Sequence, residues 1–158
     1  MQELVGLVAL DRTSPSGLSW AIRPHSRSPF KAGEIALGTV SHGYYRGRIR
    51  GKGYQAHRVV WYLTHGYVPG ELDHIDGNGL NNLIENLREV THAENEHNKL
   101  KRGYTYNKEK GKYMARIYVG GKPKHLGYFA TPEEAHEAYL THKRELHPTA
   151  PRRCYVKD

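Results

Sequence analysis

The spacing of apolar and polar positions changes character along the 158 residues, and those changes mark out the elements. The first 55 residues carry short apolar runs, LVGLVAL, LSWAIRP and KAGEIALGTV, broken by TSPSG and PHSRSP. Runs of this length bounded by Gly, Pro and Ser predict short strands. GYYRGRIRGKGYQ follows, and its RGKG turn predicts a hairpin. From Ala56 to His65 the period lengthens: AHRVVWYLTH places Val59, Val60 and Leu63 on one helical face, ended by Gly66 and Pro69. The polar, Asn-rich ELDHIDGNGLNNLIENLREVTHAENEHNK then predicts a short strand into Asp73–His74, a long Asn/Gly loop, a second strand at LREVT, and a helix. Thr91 is a favourable N-cap for that helix, and Glu94 three residues on completes a capping box.

Beyond a basic joint, KLKRG, the pattern changes again. YTYNKEKGKYMARIYVGGKPKHLGYFA predicts three short strands with turns at KEKGK and GGK. Ala115, Ile117 and Val119 alternate with Met114, Arg116 and Tyr118, the two-residue period of a strand with one buried face. The first three are expected to face a helix, and TPEEAHEAYLTHKRELH supplies one. Thr131 caps it, Pro132 takes its first position, and Glu133 and Glu134 fill its first turn. Ala135, Ala138, Tyr139 and Leu146 form its apolar stripe. The expected organisation is a β-rich segment over 1–55, a mixed region over 56–101, a sheet-and-helix domain over 102–150, and a tail over 151–158.

Composition narrows what these elements do. Hydrophobic residues make up 37% and mean hydropathy is −0.77, so any core is small or divided. Small cores fold only marginally and gain from a partner or a metal. The single cysteine, Cys154, excludes an internal disulfide framework and a multi-cysteine zinc site. The longest apolar run, near Leu4–Leu10, falls far short of the ~18 residues that span a bilayer, and it lacks the basic start and cleavage site of a secretory signal. A soluble, intracellular protein with no membrane partner is expected. The net charge is +8, and the excess points toward a polyanion, most simply nucleic acid. It is unevenly spread: +5 over 1–55, −3 over 56–101 and +6 over 102–158. An acidic middle between basic ends suits a centre that holds a cation near phosphate while the ends hold the backbone. Chance clustering in so short a chain gives the same picture. Along GYYRGRIRG, Tyr45 interleaves with Arg46, Arg48 and Arg50, which suits a phosphate contact and a solvated hairpin face equally.

The acidic middle also carries candidate chemistry. Asp73 and His74 are adjacent, and Asn95 lies one helical turn beyond His92. Asp73 and Asn95 offer oxygens to a hard divalent cation such as Mg²⁺. His74, on the opposite face of the strand, is left to take a proton from water. Phosphodiester hydrolysis needs both, a base for the attacking water and a cation at the leaving oxygen. An adjacent Asp-His pair is also commonly no more than two surface residues, and Asn-rich loops are commonly turn formers.

The motifs AHR-x-VW, DHIDGN, the NN pair, ENLR and VTHAEN run in order through about 45 residues. This stretch resembles the HNH endonuclease family in its phage and intron-homing branch. The resemblance implies a ββα-metal finger, with Asp73 as a metal ligand and His74 as the general base. Asn86 resembles the middle Asn, which braces the loop and orients the histidine through backbone hydrogen bonds. Asn95 resembles the third position, here Asn where the family name has His; an amide oxygen there favours Mg²⁺ or Mn²⁺ over Zn²⁺. His92 and Asn98 share or neighbour that helical face, as supports for the ligands or as phosphate contacts; an exposed helix position accounts for His92 as well.

Residues 102–147 resemble the ethylene-response-factor (Apetala-type) DNA-binding domain through GYTYN, GKYMARIYVGGK, KHLGYFATPEEAHEAY and RELH. That resemblance implies one helix packed on a three-stranded sheet whose other face enters the major groove. Lys112, Arg116, Tyr118 and His125 fall on or near its DNA-reading positions. The plant domains present several Arg and Trp there; this chain has Thr, Tyr and His, so their target sequence does not transfer. Together these readings give an α+β protein: an N-terminal β-rich segment, a ββα-metal HNH finger, and a C-terminal three-stranded sheet with one helix. The expected function is metal-dependent hydrolysis of duplex DNA leaving 5′-phosphate and 3′-hydroxyl ends, with Mg²⁺ or Mn²⁺ and no small-molecule cofactor, in a host cytoplasm if phage-encoded. A non-cleaving DNA-binding regulator that keeps the finger as scaffold is the alternative, and a packaging protein a third. The oligomeric state does not follow from the sequence.

Overall fold

A computed structural model describes residues 1–155, which form small antiparallel sheets and three α-helices. The chain divides into two compact units, Met1–Val90 and Thr91–Asp158. The expected limits at 55/56 and 101/102 lie within these units.

In the first unit, β1 (Val8–Leu10) pairs with β2 (Leu18–Trp20). β3 (Thr39–Ser41), β4 (Tyr44–Ile49) and β5 (Lys52–Gln55) form a second sheet in that order. Of the run KAGEIALGTV only its end enters a strand; Ile35 makes a single bridge to Ser19. β4 and β5 are joined through Arg50 and Gly51, both left-handed with φ of 51° and 80°. Two such residues give the turn whose twist matches that of the strands, so the RGKG signal is realised as a tight hairpin. α1 spans Ala56–His65, with Ala56, His57, Val59, Val60 and Trp61 buried. β6 (Glu71–His74) and β7 (Leu87–Val90) make a two-stranded ladder that pairs Asp73 with Arg88 and His74 with Leu87. One core joins these parts: Leu4, Val8, Leu18, Trp20 and Ile49 pack with Val59, Val60, Trp61 and Leu87. The β-rich segment and the helix and strands that follow it therefore share a single hydrophobic interior.

The second unit opens with α2 (His92–His97), capped by Thr91 and Glu94 in a reciprocal capping box. β8 (Tyr104–Asn107), β9 (Lys112–Val119) and β10 (Lys122–Phe129) form an antiparallel sheet with β9 central. α3 (Pro132–Leu146) begins at a second capping box, Thr131 with Glu134, and packs on the sheet. Ala115 and Ile117 are buried beneath it. Val119 does not join them: as the last residue of β9, beside the Gly120–Gly121 turn, it is exposed. Beneath α3 the stripe of Ala135 and Tyr139 continues into Lys143, which is only 1% exposed. Its Nζ donates to the Lys99 carbonyl at 3.1 Å and lies 5.7 Å from the Tyr139 ring centre. Burial holds this ammonium below the usual lysine range. Among the described residues no helix is long and apolar enough to cross a membrane.

Candidate active site

Successive side chains of a strand point to opposite faces, so Asp73 and His74 face different surroundings. Arg88 reaches Asp73 from the paired position on β7, its Nε and Nη2 donating to Oδ2 at 3.1 and 2.9 Å. His74 turns instead toward α1 and β4. Its ring lies 5.1 Å from His57, edge-on, and 5.8 Å from Tyr44, while Tyr44 and His57 lie 5.4 Å apart. Its Nε2 is 3.1 Å from Asn82 Oδ1, and Asn82 Nδ2 donates to the Ser16 carbonyl at 2.9 Å.

His57 is buried, and its Nδ1 has no hydrogen-bond partner among the described residues. Burial, followed by the nearby charges of His74 and Arg58, pushes its pKa down to about 4. At neutral pH it is therefore an uncharged wall beside His74.

The loop from Ile75 to Leu83 is held by its own amides. Asn86 receives the Asp76 backbone N–H at Oδ1 (3.0 Å), and its Nδ2 donates to Asp76 Oδ1 (3.0 Å) and to the Asn81 carbonyl (2.8 Å). Asn81 donates to the other Asp76 oxygen at 2.7 Å, and the Asn86 carbonyl accepts from Ile75 N–H at 2.9 Å. Burial pushes the Asp76 carboxyl up, but the donors Asn81, the Asn78 backbone and Asn86 outweigh it and hold the pKa below the usual carboxylate range. At Gly79 a Cβ would come within 2.7 Å of the Tyr44 ring, so this loop position accepts only glycine if the loop is to lie against β4.

Asp73, His74 and Asn86 are thus brought together in the first unit. Asn95 and His92 lie on α2 of the second unit. Asn98, just beyond, is buried, and its carbonyl accepts from Arg153 and Cys154. Arg46 and Arg48 are both exposed on the face of β4 that also carries Tyr44. In the second unit Lys112, Arg116, Tyr118 and His125 are exposed on the sheet face away from α3, with His125 directly opposite Arg116 in the register. The Arg116 guanidinium lies 5.8 Å from the Tyr118 ring centre. A cleft of about 690 Å³ in this unit is lined by Arg116 and Tyr118 together with His92, His97, Tyr104 and Tyr139.

The sequence alone gives no role to Asn82, His57 or Arg88. Asn82 is the second residue of the NN pair, His57 the middle of AHR and Arg88 the last residue of ENLR, so all three lie inside the motifs that carry the resemblance. Their partners lie too far away in sequence for spacing to reveal.

The strand–loop–strand geometry around Asp73 and His74 lies within a stretch of known kind. Residues 54–97 match the HNH endonuclease family. The chain is also 44% identical over 70 residues to DNA endonuclease I-HmuI of Bacillus phage SP01, an alignment that covers 43% of this chain and 40% of that protein. The chain therefore matches less than half the length of this relative. No solved structure matches the chain. The HNH stretch contains α1, β6, β7 and α2, and so holds Asp73, His74, Asn86 and Asn95. No group of three or more His, Cys, Asp or Glu side chains among the described residues is placed to hold a metal ion. Carboxylate and amide side chains such as those of Asp73 and Asn95 carry oxygen donors, the ligand type that hard divalent cations take.

Proposed function

We propose that the protein is a divalent-metal-dependent endonuclease of duplex DNA, with His74 as its general base. The observation that carries this reading is the Asp73–His74 step of β6, followed by the Asn86-braced loop, inside the stretch that matches the HNH family. The relative is a DNA endonuclease, which supports the same assignment.

In this reading His74 takes the proton from the attacking water, and Asn86 keeps the loop after β6 in shape so that the ring stays in place. Asp73 and Asn95 hold the cation, and Arg88 orients the Asp73 carboxylate. A bound Mg²⁺ or Mn²⁺ supplies charge stabilisation for the phosphate and the leaving oxygen. His92 and Asn98 support that helical face. The exposed sheet residues Lys112, Arg116, Tyr118 and His125 position the chain on the duplex, with Arg46 and Arg48 as backbone contacts from the first unit.

A plasmid-nicking assay with and without Mg²⁺ tests this directly. Conversion of supercoiled to open-circular DNA that requires the metal supports it. DNA binding without any cleavage, across Mg²⁺ and Mn²⁺, would establish the regulator in its place.

A further inference from the structure

We propose that Asn82 is a positioning residue that fixes the tautomer of His74, making Nδ1 the nitrogen that accepts the proton. The inference rests on the reading of His74 as the general base.

The chain of constraint begins in the amino-terminal segment. Ser16 is fully buried, and its hydroxyl donates to the Ala36 carbonyl at 2.6 Å, so this stretch is anchored by the sheet region itself. The Ser16 carbonyl can only accept. The group 2.9 Å from it must therefore be the NH₂ of Asn82, which turns Asn82 Oδ1 toward His74 Nε2 at 3.1 Å. An amide oxygen also can only accept, so Nε2 must carry the hydrogen. A neutral imidazole has one N–H, and the lone pair is then on Nδ1. The flipped amide would set oxygen against oxygen at Ser16 and give the imidazole a donor instead. The anchored carbonyl removes the ambiguity that usually attends an Asn side chain.

Three features keep the relay from relaxing. Asn82 and His74 are 3% and 5% exposed, so water does not compete freely for either bond. Gly17, next to Ser16, lies so close to Asn82 that a Cβ there would sit 3.3 Å from its Cβ and its carbonyl oxygen. His57 and Tyr44 wall two further sides of the ring, and His57 is held neutral. The hydrogen bonds of Asn86 go to Asp76 and the Asn81 carbonyl, so the Asp76 carboxylate acts on the imidazole only through its charge; Asn86 shapes the loop, whereas Asn82 sets the proton. The roles of the two asparagines are therefore different.

The decisive measurement is the ¹⁵N spectrum of the histidine rings in the full-length, metal-free protein at a pH where His74 is neutral, with its signals assigned by their loss in His74→Gln. The expected result is a protonated Nε2 and an unprotonated Nδ1. A protonated Nδ1 in the wild type overturns the proposal without any variant having to fold. In Asn82→Ala the ring should become a mixture of tautomers, and kcat for nicking should fall ~10- to 100-fold at unchanged KM, the range for removing a group that orients a functional histidine. Asn82→Asp keeps an acceptor opposite Nε2 but sets a carboxylate oxygen against the Ser16 carbonyl, so it should keep Nε2 protonated and recover only part of the rate. Equal losses in both variants with the wild-type tautomer intact would mean that Asn82 acts on stability alone and would overturn the positioning role. Wild-type protein that shows the expected tautomer but never nicks DNA overturns the nuclease reading and leaves the relay standing.

Discussion

His74 and Asp73 sit side by side in the sequence but experience different chemistry, one among rings and amides, the other against a guanidinium. That difference separates their expected phenotypes. His74→Ala should lower the nicking rate by ~10²–10⁴ while leaving DNA affinity nearly unchanged, since a general base contributes to the transition state and little to binding. Nicking rate and gel-shift affinity on one preparation check it, and wild-type nicking would reject the role. Asp73→Ala should abolish activity at every Mg²⁺ level. Asn95→Ala should be partly rescued by more metal, because a neutral amide contributes less than a carboxylate. His57 gives a pH prediction. Its folded pKa of about 4 lies below the ordinary 6.5, so its contribution to stability is fully present above pH 6.5 and is lost as the pH falls toward 4. The loss amounts to ~3 kcal/mol at most. Urea midpoints at about pH 7 and about pH 4.5 should therefore diverge in the wild type and converge in His57→Leu. Asp73 and His74 were legible in the sequence because adjacency is a local property. Asn82 was not, because its meaning depends on Ser16, 66 residues away.

Among the elements, what is local was also what the sequence displayed. α1 runs over the residues its apolar spacing indicated, and the capping boxes at Thr91 and Thr131 are formed as three-residue spacing requires. Burial is set by what arrives from elsewhere, so it was read less well. Val119 has the right parity for the core of the sheet, yet the strand ends there and the side chain stays exposed. Lys143 has the wrong chemistry for that core, yet occupies the helix face one turn beyond Tyr139. These two positions yield opposite expectations. Val119→Thr should be nearly neutral in a thermal melt. Lys143→Ala should cost ~2–4 kcal/mol, because it leaves a cavity and strands the Lys99 carbonyl. Lys143→Met should cost less than Lys143→Ala, because an apolar chain of similar length fills the space and removes a buried charge, leaving only the Lys99 carbonyl without its donor. A loss in Lys143→Met as large as in Lys143→Ala would mean that the ammonium is needed for the fold.

Taken over its full length, the chain is basic at both ends and acidic where the HNH stretch lies, and that asymmetry has a measurable signature. If Lys112 and Arg116 each meet a phosphate, replacing both with alanine should lower the salt slope of DNA binding by ~2, at roughly 0.9 per contact. If Arg116 instead reads a base edge, Arg116→Ala alone should relax preference at one position by ~1–3 kcal/mol and leave other sequences less affected. Unchanged slope and preference would assign the exposed sheet face some task other than holding DNA. The links between Ser16 and Asn82, and between Arg12 and Glu85, join residues 66 and 73 positions apart inside one unit. Contacts between such distant residues must wait for a large loop to close, which slows folding. On the ribosome the surroundings of His74 stay incomplete until the strand at Leu87–Val90 has emerged, so a nascent chain carries this imidazole unoriented until the first unit has closed.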